Sequence, residues 1–553
     1  MADFRRVVTA LAVVVLLMGF AQTVSAQPFT CSATAAVTPL LRSEGLTELT
    51  GDIVLTCSGT LTAAQAALSP VNIQVFMNAP VTSRLLSGSV SEATLLLDEG
   101  TATMIQGTVV GNSLSFVNVP IIPASTVGVV QRIVRITNIR VNASAVPAGI
   151  SGVPGSVQAL ISITGPATVP ISNPQLTVGF VTQGLVFGLN RASDFTAAVA
   201  SGGLSLDQCV EYGRSTLRAI LRYREGFPTA FKIRATESQV DATPDIGQFF
   251  NTESGTVLTG LTGSFGGTAS AAGLADFSTR LRAVFSNVPA GVQIWVSTTN
   301  VTANGVAAAA NGATYARLIS PEAAGLAGAF DIPAGTNVGT NVGIAQLSIV
   351  GGVATAVWEV RAANPALAED LDFQVHLVTS PAPGSNTPAA GVLATVAGSF
   401  APVSTAGTAT SGPIPRFVDT GVPRNFLAFN ICRTVLLFPF VTNQAGFDTG
   451  LAISNTSQDP LGTAAQAGTC TWSFYGANAP AAVTTASVAA GTTSTALASS
   501  VAPNFQGYAF AVCNFQFAHG FAFVSDIGAR NLAMGYLSLV VPSSRSGPEA
   551  LDN

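Results

Sequence analysis

Residues 372–377 read Asp-Phe-Gln-Val-His-Leu, and residues 292–297 read Val-Gln-Ile-Trp-Val-Ser. In the first stretch apolar and polar side chains alternate, so that Phe373, Val375 and Leu377 share one face of a strand. Thr, Val, Ile and Phe recur along the chain, and turn-forming residues separate the apolar runs at short intervals. The pattern predicts an all-β fold of tandem antiparallel, immunoglobulin-like β-sandwich domains.

The composition is poor in charge. Of 553 residues only 9% are charged, against about 25% in an ordinary soluble domain, and the net charge is −5. The acidic balance argues against a nucleic-acid partner, which needs a basic surface on the protein. The 48% of hydrophobic residues argue against disorder. Lys232 is the only lysine, and His376 and His519 are the only histidines.

The first 26 residues have the pattern of a secretory signal peptide. Arg5 and Arg6 precede an apolar run that ends at Phe20, and small residues at 24–26 suit a signal peptidase. The apolar run is too short to span a membrane comfortably. We therefore expect a secreted or cell-surface protein, or a periplasmic one, with no membrane span after cleavage.

An even number of cysteines in an exported chain predicts disulfide bonds. The six are Cys31, Cys57, Cys209, Cys432, Cys470 and Cys513. We expect Cys31 to pair with Cys57 across a turn at Gly51, and Cys470 with Cys513 within the last domain. The remaining two, Cys209 and Cys432, would tie the middle of the chain to its last domain. Spacing alone leaves other connectivities open.

Length and composition suggest three β domains after the signal peptide at 1–26. We place an N-terminal β domain at 27–205 and a middle β domain at 206–404. Residues 405–415 are small, flexible and contain two prolines, which is typical of a linker. A C-terminal β-sandwich module at 416–545 follows, with a polar tail at 546–553.

The C-terminal part carries a resemblance to a known group of proteins. An apolar strand at 438–441 leads to the segment 446–455, which reads Gly-Phe-Asp-Thr-Gly-Leu-Ala-Ile-Ser-Asn. An aromatic strand ending in glycine follows at 470–476, then an Ala-Gly turn and a further strand from 505–510. This order resembles a β-sandwich module of uncharacterised secreted bacterial proteins, acidobacterial ones among them. The resemblance implies an architecture and no catalytic residues, and it does not extend to residues 27–410.

Two Asp-Thr-Gly triplets, which begin at Asp419 and Asp448, raise the question of an aspartic protease. They lie too close in sequence for each to belong to its own lobe, so we do not expect a protease. His519 alternates with Phe521 and Phe523, which predicts a core histidine. His376 shares a strand face with polar residues, which predicts exposure. A secreted hydrolase that uses Asp448 or His519 is the enzyme alternative.

Three further patterns suggest ligands, each with a plainer alternative. Glu369, Asp370 and Asp372 could hold calcium or form a charged strand entry. Trp295 and Trp472 could stack on sugars or serve in packing. A basic stripe in the segment 205–225, which is either strand or helix, could bind an anionic polysaccharide or be a solvated face. Its members are Arg214, Arg218, Arg222 and Arg224.

The sequence therefore predicts a non-catalytic secreted protein used for surface architecture, adhesion or matrix building. We expect no cofactor and no metal. The partners would be further copies of the chain, extracellular glycans or other surface proteins. A carbohydrate-binding protein is the first alternative, and the hydrolase is the second.

Overall fold

The computed structural model describes residues 29–541 apart from 63–69, 100–102, 124–126, 148–152, 167, 209, 235–251, 259–263, 266–267, 270–271, 303–313, 320–335, 339–341, 380–387, 464 and 527. The described residues form strands, with one 3-10 turn (Ala143–Ala145) and one α-helical turn, α1 (Ala498–Val501). The predicted all-β fold is confirmed. No described helix has the length and apolarity needed to cross a membrane. The predicted signal peptide, the predicted tail and Cys209 lie outside the described residues.

The N-terminal unit (29–182) encloses one hydrophobic core. Its strands are β1 (Thr30–Ala35), β2 (Leu40–Arg42), β3 (Glu48–Leu49), β4 (Ile53–Leu61), β5 (Val71–Met77), β6 (Leu85–Ser87), β7 (Val90–Leu97), β8 (Met104–Val110), β9 (Ser113–Val119), β10 (Gly128–Thr137), β11 (Arg140–Val141), β12 (Gly155–Thr164) and β13 (Gln175–Thr182). One sheet runs in the order β1-β4-β10-β7-β8-β9-β5-β12-β13-β2, with β6 on β7, and β3 pairs with β11. All of these pairs are antiparallel except β13 with β2.

The middle unit (185–430) is a sandwich of two sheets. Its strands are β14 (Leu185–Arg191), β15 (Leu204–Asp207), β16 (Leu217–Glu225), β17 (Ser264–Phe265), β18 (Thr268–Ala269), β19 (Arg280–Ser286), β20 (Gln293–Ser297), β21 (Tyr315–Ile319), β22 (Thr336–Val338), β23 (Val342–Gln346), β24 (Ile349–Val350), β25 (Val353–Ala362), β26 (Asp370–Val378), β27 (Leu393–Ala401) and β28 (Arg424–Asn430). The sheets run β14-β16-β26-β20-β23-β22 and β15-β28-β27-β19-β25-β21, with β24 on β25. Between them Trp358 stacks on Phe373, with ring centroids 4.1 Å apart.

The C-terminal unit (434–541) is a smaller sandwich. Its strands are β29 (Thr434–Thr442), β30 (Asp448–Asn455), β31 (Cys470–Ala477), β32 (Val483–Thr484), β33 (Thr493–Leu497), β34 (Gln506–Cys513), β35 (Ala518–Ser525), β36 (Ala533–Leu537) and β37 (Leu539–Val541). A five-stranded sheet, β32-β31-β34-β29-β37, faces a four-stranded sheet, β33-β30-β35-β36. Phe438 and Trp472 of the first sheet meet Leu451 and Ile453 of the second in the core.

The first boundary differs from the one that the sequence predicts. Strand β14 pairs with β16 in the middle unit, so this unit begins near residue 184 rather than at 206. The backbone N–H groups of Gly184 and Leu185 donate to the buried carboxylate of Glu44 at 2.9 and 3.2 Å. A buried carboxylate of the N-terminal unit therefore binds the backbone at the start of the middle unit.

The prediction of a linker at 405–415 is wrong. This segment packs on the N-terminal unit, where Leu85 N donates to Thr410 O at 2.9 Å and Asn142 Nδ2 to Gly407 O at 3.1 Å. Strand β28 follows it and pairs with β27, so the middle unit continues to residue 430 and the C-terminal unit starts at β29 rather than at 416. Small residues and prolines allow this close backbone packing as readily as they allow flexibility.

Disulfide bonds join Cys31 to Cys57 and Cys470 to Cys513. Each bond links residues that lie directly opposite each other on neighbouring antiparallel strands, β1 with β4 and β31 with β34. Both pairings are the ones that we expect from the sequence. Cys432 is also disulfide-bonded. Its expected partner, Cys209, lies outside the described residues.

The N-terminal and middle units meet at a buried group of charges, the junction cluster. Its members are Arg42, Glu48, Glu92, Arg140, Lys232 and Glu253, each at most 3% exposed. Arg42 of the N-terminal unit binds the Glu253 carboxylate of the middle unit through both terminal nitrogens, at 2.7 and 2.9 Å. Three positive and three negative side chains balance each other.

Direct contacts extend through the junction cluster. Arg42 Nε lies 2.8 Å from Glu48 Oε1, and Lys232 Nζ lies 3.8 Å from Glu48 Oε2. Arg140 bonds to Glu92 Oε1 at 3.1 Å and to the backbone oxygen of Glu253 at 2.7 Å. Burial alone would raise the pKa of Glu48, but Arg42 and Lys232 hold it below its usual value. Burial lowers the pKa of Lys232.

Candidate interaction surface

The predicted basic stripe and the predicted calcium cluster form one structural feature. The segment Leu217–Glu225 is the strand β16, which pairs with β26. Arg222 binds both carboxylate oxygens of Asp372 at 2.8 and 2.6 Å, and Arg224 binds those of Asp370 at 2.8 and 2.9 Å. The two arginines and the two aspartates neutralise each other across the strand pair. This part of the stripe is therefore not free to bind an anionic polysaccharide.

The other two arginines of the stripe lie over aromatic rings. The Arg214 guanidinium is 5.0 Å from the Trp295 ring centroid, and that of Arg218 is 4.6 Å from Tyr212. Trp295 is therefore covered on one side, and Trp472 is buried in the core of the C-terminal unit. Trp472 is therefore not available to stack on a sugar ring, and stacking on Trp295 is restricted to the side that Arg214 does not cover.

Asp419 and Asp448 belong to different units. Asp419 is an exposed side chain that pairs with Arg282 of the middle unit at 3.0 Å. Asp448 is buried in the C-terminal unit, where it accepts hydrogen bonds from Ser499 N at 3.0 Å and Ser499 Oγ at 2.6 Å. Each carboxylate has its own structural partners, so the pair is not arranged to share a proton as an aspartic protease requires.

The prediction that His376 is exposed is wrong. The side chain is buried, and its Nε2 lies 3.3 Å from Gln374 Oε1. The backbone of Arg214 and Thr216 lies against the ring, and burial lowers the pKa of the imidazole. A strand face with polar residues can still be buried where a preceding segment folds over it. Sequence alternation cannot show such a cover.

The prediction that His519 lies in the core is also wrong. In β35 the small residues point inward, and His519, Phe521 and Phe523 are exposed. A Cβ atom added to Gly520 would lie 2.5 Å from Cζ of Phe438, which fills the core from the opposite sheet. The alternation is as predicted, but the large aromatic side chains occupy the outer face.

Three aromatic side chains, two leucines and one serine of the five-stranded sheet form an outer surface, which we call the tyrosine face. Its members are Leu437, Ser473, Tyr475, Tyr508, Phe510 and Leu539. Tyr475 and Tyr508 are exposed, lie opposite each other on paired strands and stack with centroids 5.3 Å apart. Phe510 stands edge-on to both rings. Ser473, Phe510, Leu437 and Leu539 continue the surface as one row across β31, β34, β29 and β37.

No charged side chain interrupts this surface. The whole C-terminal unit contains four charged residues: Asp448, Asp459, Asp526 and Arg530. Asp448 is buried, and Asp459 and Asp526 accept hydrogen bonds from the backbone of their own loops. An exposed aromatic pair on a sheet face without charges is a candidate contact surface.

Two sequence signals indicate apolar outer faces on the two sheets of the C-terminal unit, although the sequence analysis did not use them. One is the pairing of aromatic positions with small ones, as in residues 518–523, Ala-His-Gly-Phe-Ala-Phe. The other is the scarcity of charge between residues 434 and 541. Among the described residues there is no group of three or more His, Cys, Asp or Glu side chains that could hold a metal ion.

Comparisons with known proteins give distant matches only. No family model and no curated protein matches the chain. Among solved structures, serine-rich repeat protein Srr2 of Streptococcus agalactiae is 8% identical, with 68% of this chain and 88% of that chain covered and a TM-score of 0.18. The adhesion glycoprotein Srr1 of the same species is 7% identical, with 68% and 92% covered and a TM-score of 0.20. The CupB6 tip adhesin of Pseudomonas aeruginosa is 10% identical, with 68% and 94% covered and a TM-score of 0.14. At these values the comparisons carry no argument about function.

Proposed function

We propose that the chain is a non-catalytic secreted or cell-surface protein of structural or adhesive function, and that its C-terminal unit makes the contact. The observation that carries this proposal is the tyrosine face. Its exposed rings lie on a sheet in which two interior strands, β31 and β34, are joined by the disulfide Cys470–Cys513. Rings on such a support lose little conformational freedom on binding, which favours affinity.

The partners of the candidate catalytic residues also support this proposal. Asp448 bonds to a serine and to backbone groups, and Asp419 pairs with Arg282. The imidazole of His376 is buried, and His519 stands on an outer face among phenylalanines. The surroundings of each of these side chains account for its position, so none of them needs a catalytic role to explain where it lies.

A second candidate function is the binding of uncharged polysaccharide, and the Tyr475–Tyr508 pair favours it. Aromatic rings can pack against the apolar faces of sugar rings, and the two phenol hydroxyls can exchange hydrogen bonds with sugar hydroxyls. The absence of charge on the tyrosine face suits a neutral glycan rather than an anionic one. Both candidates use the same surface and differ in the material that it contacts.

The test is retention of the purified protein on two materials, an alkyl-coated surface and an insoluble neutral polysaccharide. We expect retention on the alkyl surface, and a loss of at least about tenfold in the double variant Y475A/Y508A. Thr493→Ala, an exposed polar position on the other sheet, is the matched control and should be retained like the unmodified protein. Tyrosine-dependent retention on the polysaccharide alone would favour the second candidate.

The same preparation tests the absence of catalysis. We expect no hydrolysis of mixed protein, ester and glycan substrates. Turnover that Asp448→Ala or His519→Ala abolishes would contradict the proposal. Neither variant should change the retention on the alkyl surface, because the tyrosine face does not include Asp448 or His519.

A further inference from the structure

Strand β36 is an unprotected edge of the four-stranded sheet. It pairs with β35 on one side, and no described strand pairs with its other side. Its sequence, Ala-Met-Gly-Tyr-Leu, contains no charge and no proline. Soluble proteins normally guard such an edge with lysine, proline or a bulge, because its free N–H and C=O groups accept another strand.

The hydrophobic core is open beside this edge. Met534 lies opposite the inward-facing Val524, yet it is 60% exposed. A cavity of about 460 Å³ lies next to it, lined by apolar side chains of β29, β35 and β36 and by a few uncharged polar groups. Its apolar lining includes Phe440, Phe447, Val524, Leu532 and Met534. The edge strand and the cavity form one continuous apolar surface.

We propose that β36 pairs with β36 of a second copy of this chain, antiparallel, about a two-fold axis at Gly535. This register sets Ala533 opposite the partner's Leu537, and Met534 opposite the partner's Tyr536. The side chains of Met534 from both copies then fill the gap between the two open cores. An isologous contact of this kind closes on itself and stops at the dimer.

Gly535 suits the centre of such a pair. A Cβ atom at Gly535 would lie 2.5 Å from Cζ of Phe521, so this ring already covers the glycine on the outer face. The two Phe521 rings would flank the axis, with Leu537 beside each of them, since Phe521 and Leu537 are opposite in register. The outer apolar row therefore continues from one copy into the next.

Area and charge agree with a second copy as the occupant. At roughly 200 Å² for a large side chain, about 550 Å² of apolar surface per copy is exposed here. It belongs to Leu532, Met534, Leu537, Phe521 and Phe523. A stable interface buries about 800 Å² per partner, which backbone pairing would complete. The nearest charges, Asp526 and Arg530, have opposite signs, so two identical surfaces meet without net repulsion.

The inference does not depend on the proposed function, because the tyrosine face belongs to the other sheet. The test is sedimentation velocity of the full mature chain from low to high micromolar concentration. We expect a monomer–dimer equilibrium that Met534→Lys weakens at least about tenfold. Leu537→Lys should weaken it as well, and since Leu537 is 75% exposed, this variant should fold normally.

The matched control is Leu497→Lys on β33, the opposite edge of the same sheet, where the side chain is 53% exposed. It should dimerise like the unmodified chain. A chain that stays monomeric over the whole range would overturn the inference, whether or not the cavity takes up the apolar dye anilinonaphthalene sulfonate. A dimer that persists in both lysine variants of β36 would overturn it equally, because another face would then be responsible.

Discussion

The size of single side chains decides which way β35 faces. Gly520 leaves room for Phe438, and His519 and Phe521 on either side of it point outward. Large residues from one sheet can occupy the centre of a thin sandwich only where the other sheet supplies small ones. At this site, then, the small residue is the one that the core requires.

Gly520→Ala should destabilise the C-terminal unit by about 1–3 kcal/mol, because the new methyl group would collide with Phe438 and Ser538. Gly450→Ala on the neighbouring strand is the matched control, since its Cβ would meet nothing closer than 3.7 Å. Chemical denaturation of the two variants measures the difference. Equal stabilities would show that Phe438 moves aside without cost.

Glu225 makes stability depend on pH. Its buried carboxylate accepts hydrogen bonds from Phe231 N and Glu369 N, yet burial raises its pKa from 4.5 to about 7. Between these values the folded chain holds a proton that the unfolded chain has released. Stability should therefore fall as pH rises from 4.5 to 7, by on the order of 3 kcal/mol.

Glu225→Gln removes this titration. The difference in unfolding free energy between pH 5 and pH 7 should be smaller in the variant, even if its stability is lower at both values. Denaturant titrations at the two pH values provide the comparison. An unchanged pH dependence would show that Glu225 titrates normally in the folded chain.

At the scale of elements, β16 and β26 are joined by ion pairs that differ in burial and should therefore differ in their contribution to stability. The Arg222–Asp372 pair is nearly buried, with side chains 13% and 6% exposed, whereas Arg224 is 57% exposed. Arg222→Met leaves a buried carboxylate without its partner and should cost about 3–5 kcal/mol. Arg224→Met should cost about 1 kcal/mol or less. Thermal unfolding of the two variants tests this ranking, and similar losses would contradict it.

The sequence predicts the type of these elements better than their surroundings. Alternation identifies β20 and β26 as strands, because it depends only on neighbouring residues. It cannot show that β16 pairs with β26, since this contact joins Arg222 to a residue 150 positions away. For the same reason the arginine stripe and the acidic cluster look like two binding sites in the sequence, although they neutralise each other.

The candidate surface shows the same limit. The residues of the tyrosine face come from strands between 434 and 541, and the sequence of each strand shows which residues alternate onto the same face. Which of the two sets of alternating residues faces outward depends on the size of the side chains that the opposite sheet places in the core, as Gly520 and Phe438 illustrate. Charge scarcity between residues 434 and 541 is the signal that the sequence carries for this surface.

At the scale of the whole molecule, the junction cluster couples the first two units. Arg42→Met would leave Glu48 and Glu253 without their main partner and should cost about 3–5 kcal/mol. Because both units contribute to the cluster, we expect the calorimetric transition to split or broaden. Arg132→Met breaks the more exposed pair with Asp98 and serves as the control, with a loss of about 1 kcal/mol or less. A single unchanged transition in the Arg42 variant would contradict the coupling.

The domain division illustrates why composition is a poor guide to connectivity. Residues 405–415 have the composition of a flexible spacer, but Thr410 and Gly407 supply backbone oxygens to the N-terminal unit. Glycine and small residues permit both uses, and only the partner surface distinguishes them. The two disulfides that we expect from the sequence join residues 26 and 43 positions apart, on strands that are neighbours in a sheet.

The burial of Lys232 gives this molecule a built-in chemical reporter. Lys232 is the only lysine in the sequence, and its ammonium group is enclosed in the junction cluster. An N-hydroxysuccinimide ester should therefore modify the α-amino group of the native protein and spare the side chain. When the two units separate, a second acylation follows, and its rate measures the opening of the junction by mass spectrometry. Trypsin likewise cannot cut at Lys232 until that opening occurs, so the appearance of a peptide that ends at Lys232 reports the same event.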